Sequence, residues 1–125
     1  MYRQGMHGER VIDRPQLLDY VVFFETEPEW LHPDGWFYGA RFSTHRDEDR
    51  ITVTVAPDNA EFSLAWWQAD RLRLRLNAVF VTGWRLDPPG GAVERLCLTL
   101  SDDPFKSCIL QLRPHLQIEF GDSWG

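Results

Sequence analysis

The sequence predicts a mainly β fold: a single-domain antiparallel β-sandwich or open barrel with one or two short helices. Three observations carry this expectation. Apolar and polar residues alternate with period two in several stretches, above all "RITVTV" (50–55) and "DRLRLRLN" (70–77). Clusters of Gly, Pro, Asn and Asp punctuate the chain often enough to part about eight short strands. Aromatics are plentiful, with six Trp, eight Phe and three Tyr, which suits pleated surfaces and buried interfaces.

The elements follow in order. Residues 1–10 are polar with two glycines and read as a loose N-terminal arm. "DRPQLLDY" (13–20) can open a short helix, with Asp13 as N-cap and Pro15 in the first turn. "LDYVVFFETEPEW" (18–30) then reads as an aromatic, β-branched strand that ends in alternating acids. "EPEWLHPDGW" (27–36) is a loop, and "WFYGARFS" (36–43) a strand with a glycine-marked irregularity. In "RITVTV", Ile51, Val53 and Val55 face the core and Thr52 and Thr54 face out. "APDNA" (56–60) is a turn, and "EFSLAWW" (61–67) returns as a hairpin partner. "RLRLRLNAVFVTGWRL" (71–86) is long for one strand and should bend near Asn77 or Gly83. "DPPGG" (87–91) is a turn, "VERLCLTL" (93–100) alternates again, and "SDDPFK" (101–106) is a turn or helical turn. "SCILQL" and "HLQIEF" are two last strands parted at Arg113 and Pro114.

Strict alternation in 70–77 puts Leu72, Leu74 and Leu76 in the core and Arg71, Arg73 and Arg75 on the other side. The arginines are expected to lie exposed or to pair with acids on neighbouring strands, with Glu61 and Asp70 as candidates. A three-arginine ligand site is the alternative.

The chain has 125 residues, enough to bury a core without disulfide or metal. The net charge of -6 is unevenly spread. Residues 1–62 hold twelve acids and six bases, whereas 63–125 hold seven of each. Acidity of this kind disfavours nucleic acid and anionic membrane and favours a basic partner. A stacking face of Arg71, Arg73, Arg75, Trp66, Trp67 and Trp84 is set against that charge and against the presence of a single lysine, Lys106. No apolar run approaches the roughly 20 residues that span a bilayer. No signal sequence and no CxxC is visible, so the expectation is a cytoplasmic protein with reduced thiols. Cys97 has the opposite parity to Leu96, Leu98 and Leu100 and should face out; Cys108 should face in. The two thiols then cannot bridge.

Catalytic signatures are missing. "HRDEDR" (45–50) contains the letters of a kinase catalytic loop without the rest of that motif. His45 with Asp47 or Glu48 is an acid–base pair on paper, and a solvated turn otherwise. Asp47, Glu48 and Asp49 lack the alternation and glycine of a calcium loop. The four histidines are scattered without metal-ligand spacing. No enzyme activity and no cofactor is implied.

One segment stands out. Glu25, Glu27 and Glu29 alternate and would share a face in extended chain. Trp30 and Trp36 flank Asp34, and Asp47, Glu48 and Asp49 follow. That makes seven carboxylates and two tryptophans within residues 25–49. Buried aromatics anchor protein interfaces and carboxylates speed capture of a basic partner, so these nine residues are the candidate partner-binding surface.

"WWQADRLRLRLNAVFVTGWRLDP" (66–88) adds a resemblance. Its order is Trp, a short polar link, an alternating leucine strand, an apolar strand, and "GW" before a proline turn. It resembles the bacterial immunity protein 50 family, small proteins that bind and neutralise polymorphic toxins. The similarity extends over about residues 36–120 and carries over no binding residue, since only "APDNA" stands where the family has a proline-rich segment. What it implies is an immunity-type inhibitor that occludes a basic toxin. A small β-barrel holding an apolar small molecule is the alternative function. Oligomeric state is not legible.

Overall fold

The computed structural model describes residues 12–87, 94–100 and 106–121. The expected arm at 1–10, most of the "DPPGG" turn and most of "SDDPFK" lie outside the described residues. Within them the chain is mainly β, with nine strands and one α-helix. It divides into two compact units, Phe24–Thr82 and Met1–Phe23 with Gly83–Gly125. No helix among the described residues is long and apolar enough to cross a membrane.

The stretch 18–30, expected as a strand, is helical in its first half. Helix α1 runs Leu17–Phe24. Its N-cap is Gln16 rather than Asp13: the Gln16 carbonyl accepts from the Asp19 and Tyr20 amides. The Asp19 carboxylate reaches back to the Gln16 N–H at 2.7 Å. That is the returning half of a capping box, and it satisfies a donor that a helix start otherwise leaves orphaned. Tyr20, Phe23 and Phe24 then fall on one stripe and are buried. Cap and stripe together override the β preference of Val21 and Val22. The helix stops at Glu25, whose φ of 58° is left-handed.

In the first unit, β2 (Trp30–Leu31), β3 (Ala40–Arg46), β4 (Asp49–Ala56), β5 (Glu61–Gln68) and the first part of β6 (Arg71–Leu86) pair antiparallel in that order. Register makes three inner rows: Ala40–Val55–Phe62–Val79, Phe42–Val53–Leu64–Leu76 and Thr44–Ile51–Trp66–Leu74. Phe42, Ile51, Val53, Val55, Phe62 and Leu64 are each at most 2% exposed, as alternation predicts for β4. Phe24 stacks on Phe42 at 4.8 Å between ring centroids.

Alternation misleads in β6. Trp66 and Trp67 are consecutive in β5, yet their partners Leu74 and Leu72 are two apart. Arg73 is therefore an extra residue, a β-bulge that turns the strand over. Leu72 emerges beside Trp67 on the outer face, 47% exposed rather than buried. Leu74 and Leu76 stay inside but are only half-buried, at the last strand of their rows. Arg71, opposite Gln68, and Arg75, opposite Ala65, end on opposite faces instead of one. A second register shift, between Phe62 and Leu64, falls where β6 passes Asn77, the expected bend.

In the other unit the end of β6 is flanked by β1 (Ile12–Asp13), and β7 (Glu94–Leu100), β8 (Ser107–Arg113) and β9 (Gln117–Gly121) follow antiparallel. The rows Leu96–Leu110–Ile118 and Leu98–Cys108–Phe120 form its core. Cys97 is on the face opposite Leu96, as parity requires, but it is 1% exposed rather than outward-facing. The Arg85 guanidinium covers it, with Nη2 at 3.7 Å from Sγ. Both cysteines are free thiols. Burial raises the Cys97 thiol, and raises that of Cys108 to about 12.

Candidate functional site

The site is built on the edge of β3. Beyond α1 the chain runs back along that strand: the Glu29 N–H donates to the Arg41 carbonyl at 2.8 Å, and Trp30 and Leu31 pair with Arg41 and Ala40. Glu25, Glu27 and Glu29 are therefore not a strand sharing a face, since only Trp30 and Leu31 are extended and paired. All three are nevertheless exposed.

Two glycines shape the next turn. A Cβ on Gly39 would stand 2.8 Å from Cζ3 of Trp30, so the indole lies against bare backbone there. Gly35 has φ 141°, which L side chains avoid, and the Phe37 ring covers its Cα. Residues Trp36–Tyr38 form one 3-10 turn instead of the expected strand start, because the Tyr38 and Gly39 amides bond back to Gly35 and Trp36. The result is a chain of rings. Trp30 meets His32 at 6.0 Å, His32 meets Tyr38 at 5.6 Å, Tyr38 meets Phe37 at 4.9 Å and Phe37 meets Trp36 at 6.2 Å. His32 is fixed by its Nδ1, which accepts from the Asp34 N–H at 3.0 Å. Nδ1 is thus the unprotonated nitrogen in this arrangement.

Much of this cluster is open to solvent. Trp30 is 38% exposed, Leu31 44% and Tyr38 38%. Trp36 is half-buried. Four carboxylates and no Lys or Arg lie within residues 25–38. Arg41 lies 5.2 Å over the Trp30 ring and 3.9 Å from Glu29, a loose surface pair that holds the indole more than it neutralises the acid.

The remaining candidates sit elsewhere or are already engaged. Glu25 is bonded to Arg46 at 2.6 Å. Asp47 and Glu48 are exposed in the two-residue turn after Arg46. Arg46 and Arg41 stand five residues apart on β3, so that turn is about 17 Å from the Trp30 cluster. Asp49 is half-buried and accepts from Trp66 Nε1 at 2.8 Å and Gln68 Nε2 at 3.1 Å. It braces the end of β5 rather than offering a free charge. The structure thus sets Glu29, Trp30, Asp34 and Trp36 in one loop with Glu27 just before it, places Asp47 and Glu48 at the far end of β3, and engages Glu25 and Asp49 in hydrogen bonds. The sequence reasoning missed Leu31, His32, Phe37 and Tyr38. Gly35 and Gly39 bracketing "WFY" were the available signal.

Comparison with family models, curated proteins and solved structures finds no match.

Among the described residues no three His, Cys, Asp or Glu side chains gather to hold a metal ion. Flat, exposed rings beside carboxylates can bury apolar area on a partner and steer a basic one.

Proposed function

We propose that the protein is an immunity-type inhibitor that binds a basic toxin domain through its aromatic loop and blocks it by occlusion. The observation that carries this reading is the gathering of Trp30, Leu31 and Tyr38, three of the exposed large hydrophobic side chains, in one glycine-shaped loop. Their carboxylate rim of Glu27, Glu29 and Asp34 is acidic and exposed. Aromatic anchors within a polar rim are the usual composition of a protein-binding patch. The resemblance of residues 66–88 to the immunity protein 50 family points to the same class of partner.

The test is binding to the protein encoded by the adjacent reading frame, followed by surface plasmon resonance. Trp30→Ala should raise the dissociation rate by a factor equivalent to about 2 kcal/mol, the threshold of a hot spot. Tight binding that ignores Trp30→Ala and Tyr38→Ala alike would remove the loop from the interface.

A further inference from the structure

The outer face of the β2–β6 sheet carries a second constellation, made of residues that the aromatic loop does not use. One cross-strand row reads His45–Arg50–Trp67–Leu72. The next reads Ser43–Thr52–Ala65–Arg75, with small side chains over most of its length. The Arg50 guanidinium carbon lies 4.1 Å from the Trp67 ring centroid, and that of Arg75 lies 6.0 Å from the same centroid. Two arginines on adjacent rows thus share one indole.

These arginines differ from five others among the described residues. Arg41, Arg46, Arg85, Arg95 and Arg113 each sit within ion-pair distance of a carboxylate. Among the described residues the side chains of Arg50 and Arg75, like those of Arg71 and Arg73 on the same strand as Arg75, make no hydrogen bond or ion pair. In a chain of net charge -6, Arg50 and Arg75 thus stand at one indole with no acid engaged among the described residues. Neither Glu61 nor Asp70, the acids expected to answer them, does so. Trp67 holds Arg50 through a cation–π contact, and the guanidinium N–H groups remain open to an oxygen pair.

We propose that Arg50 and Arg75, held on Trp67, form a carboxylate clamp for an extended acidic and aliphatic segment of a partner protein, with Leu72 as its apolar contact. Bidentate guanidinium–carboxylate pairing supplies the recognition. Three observations select a short peptide over a nucleic-acid strand. Guanidinium groups occupy the indole, so a base has less ring to stack on. Leu72, turned out by the Arg73 bulge, offers an aliphatic surface that a phosphodiester cannot use. The patch is also short and ends in acid: Asp47, Glu48 and Asp70 stand in the two turns beside it, which the Ala69 N–H ties together by a 3.1 Å bond to the Glu48 carbonyl. A long polyanion would run into them, whereas two carboxylates would not. This inference is independent of the toxin-binding reading, because it uses none of the loop residues.

The experiment is an NMR titration of the full 15N-labelled chain with the acetylated, amidated tripeptide Glu-Leu-Glu, which carries two carboxylates about a leucine. The expected result is a set of shifts centred on the Trp67 indole N–H and the Arg50 and Arg75 Nε–H groups. Arg50→Gln with Arg75→Gln should weaken binding about tenfold or more, the scale of one lost charge-assisted pair. Arg75→Glu alone, at an exposed position, should give a similar loss and covers the case in which the double variant folds poorly. Trp30→Ala should leave the affinity unchanged. Absence of localised shifts at millimolar peptide, or affinity unchanged in Arg75→Glu, would overturn the clamp. Ten-nucleotide oligothymidylate moving the same resonances at lower concentration would overturn the choice of a peptide.

Discussion

Replacing Gly39 with alanine separates the role of the aromatic loop from the stability of the fold. The φ of Gly39 is 165°, extended backbone that alanine adopts without cost. The new Cβ would meet Trp30 at 2.8 Å from Cζ3 and 3.0 Å from Cη2. Ordinary carbon contacts are about 3.5–4.0 Å, so the indole must retreat by about 1 Å. These atoms are the far end of a side chain already 38% exposed, so the ring has room to swing outward. The losses are the Arg41 contact, about 0.5–1 kcal/mol at an exposed site, and a further apolar area of roughly 40 Å², about 1 kcal/mol at 25 cal/mol per Å². Reduced freedom of the unfolded chain returns about 0.4–1 kcal/mol. The net cost is about 1 kcal/mol, with an unchanged m-value in urea and a shifted Trp30 indole resonance. Partner dissociation should accelerate nearly as much as in Trp30→Ala. A stability loss above about 3 kcal/mol, or an unmoved Trp30 resonance, would show that the ring does not rest on Gly39 as described.

Further outcomes concern the scaffold. Ala69 and Asp70 join β5 to β6 with φ of 48° and 67°, the pattern of a tight hairpin turn that favours Asn-Gly. Ala69→Asn with Asp70→Gly should therefore raise stability by about 1–2 kcal/mol in urea titration, since L residues resist the left-handed region by roughly that much. Glu94 is wholly buried and bonded to Arg113, its cross-strand neighbour. Arg113→Ala should cost about 1.5–3 kcal/mol by thermal or urea unfolding, because it takes a charge-assisted hydrogen bond from buried Glu94. Burial holds the Cys108 thiol up to about 12, against about 8.5 in an unfolded chain. Above about pH 8.5 the unfolded chain binds fewer protons than the native one, so stability present in full below that pH should fall as pH rises toward 12. Urea midpoints at neutral and alkaline pH, compared between wild type and Cys108→Ala, read this directly: the variant should lose less.

Where one rule governed a segment, the sequence was a sufficient guide. Ile51, Val53 and Val55 face the core because nothing interrupts β4, and Leu96, Leu98 and Leu100 do the same in β7. It failed where a second, local interaction competed. Val21, Val22, Phe23 and Phe24 look like a strand, yet one carboxylate, Asp19, caps a helix through them. The leucine–arginine alternation of 71–76 is unbroken in sequence, but a bulge at Arg73 reverses its faces, and bulges leave no mark in a binary pattern. Cys97 has an outward parity that a long neighbouring side chain covers. The candidate site was legible in composition more than in geometry. Counting carboxylates found Glu27, Glu29 and Asp34, but could not tell that Asp49 is held by Trp66 and Gln68 and Glu25 by Arg46. The two glycines that shape the ring cluster carry no charge, so the charge pattern gives no sign of them.

The central claim is that the loop around Trp30, with its carboxylate rim, is the face that meets a basic partner. The most direct measurement is surface plasmon resonance against the adjacent gene's product at two salt concentrations, comparing wild type, Trp30→Ala, and a variant with Glu27→Gln, Glu29→Gln and Asp34→Asn. Steering by exposed charge acts on association and weakens with salt, whereas a buried aromatic anchor acts on dissociation. The acid-neutralised variant should associate more slowly with a flattened salt dependence, and Trp30→Ala should dissociate about thirtyfold faster, the equivalent of about 2 kcal/mol. Association and dissociation unchanged in both variants, with the folded spectrum intact, would contradict the claim.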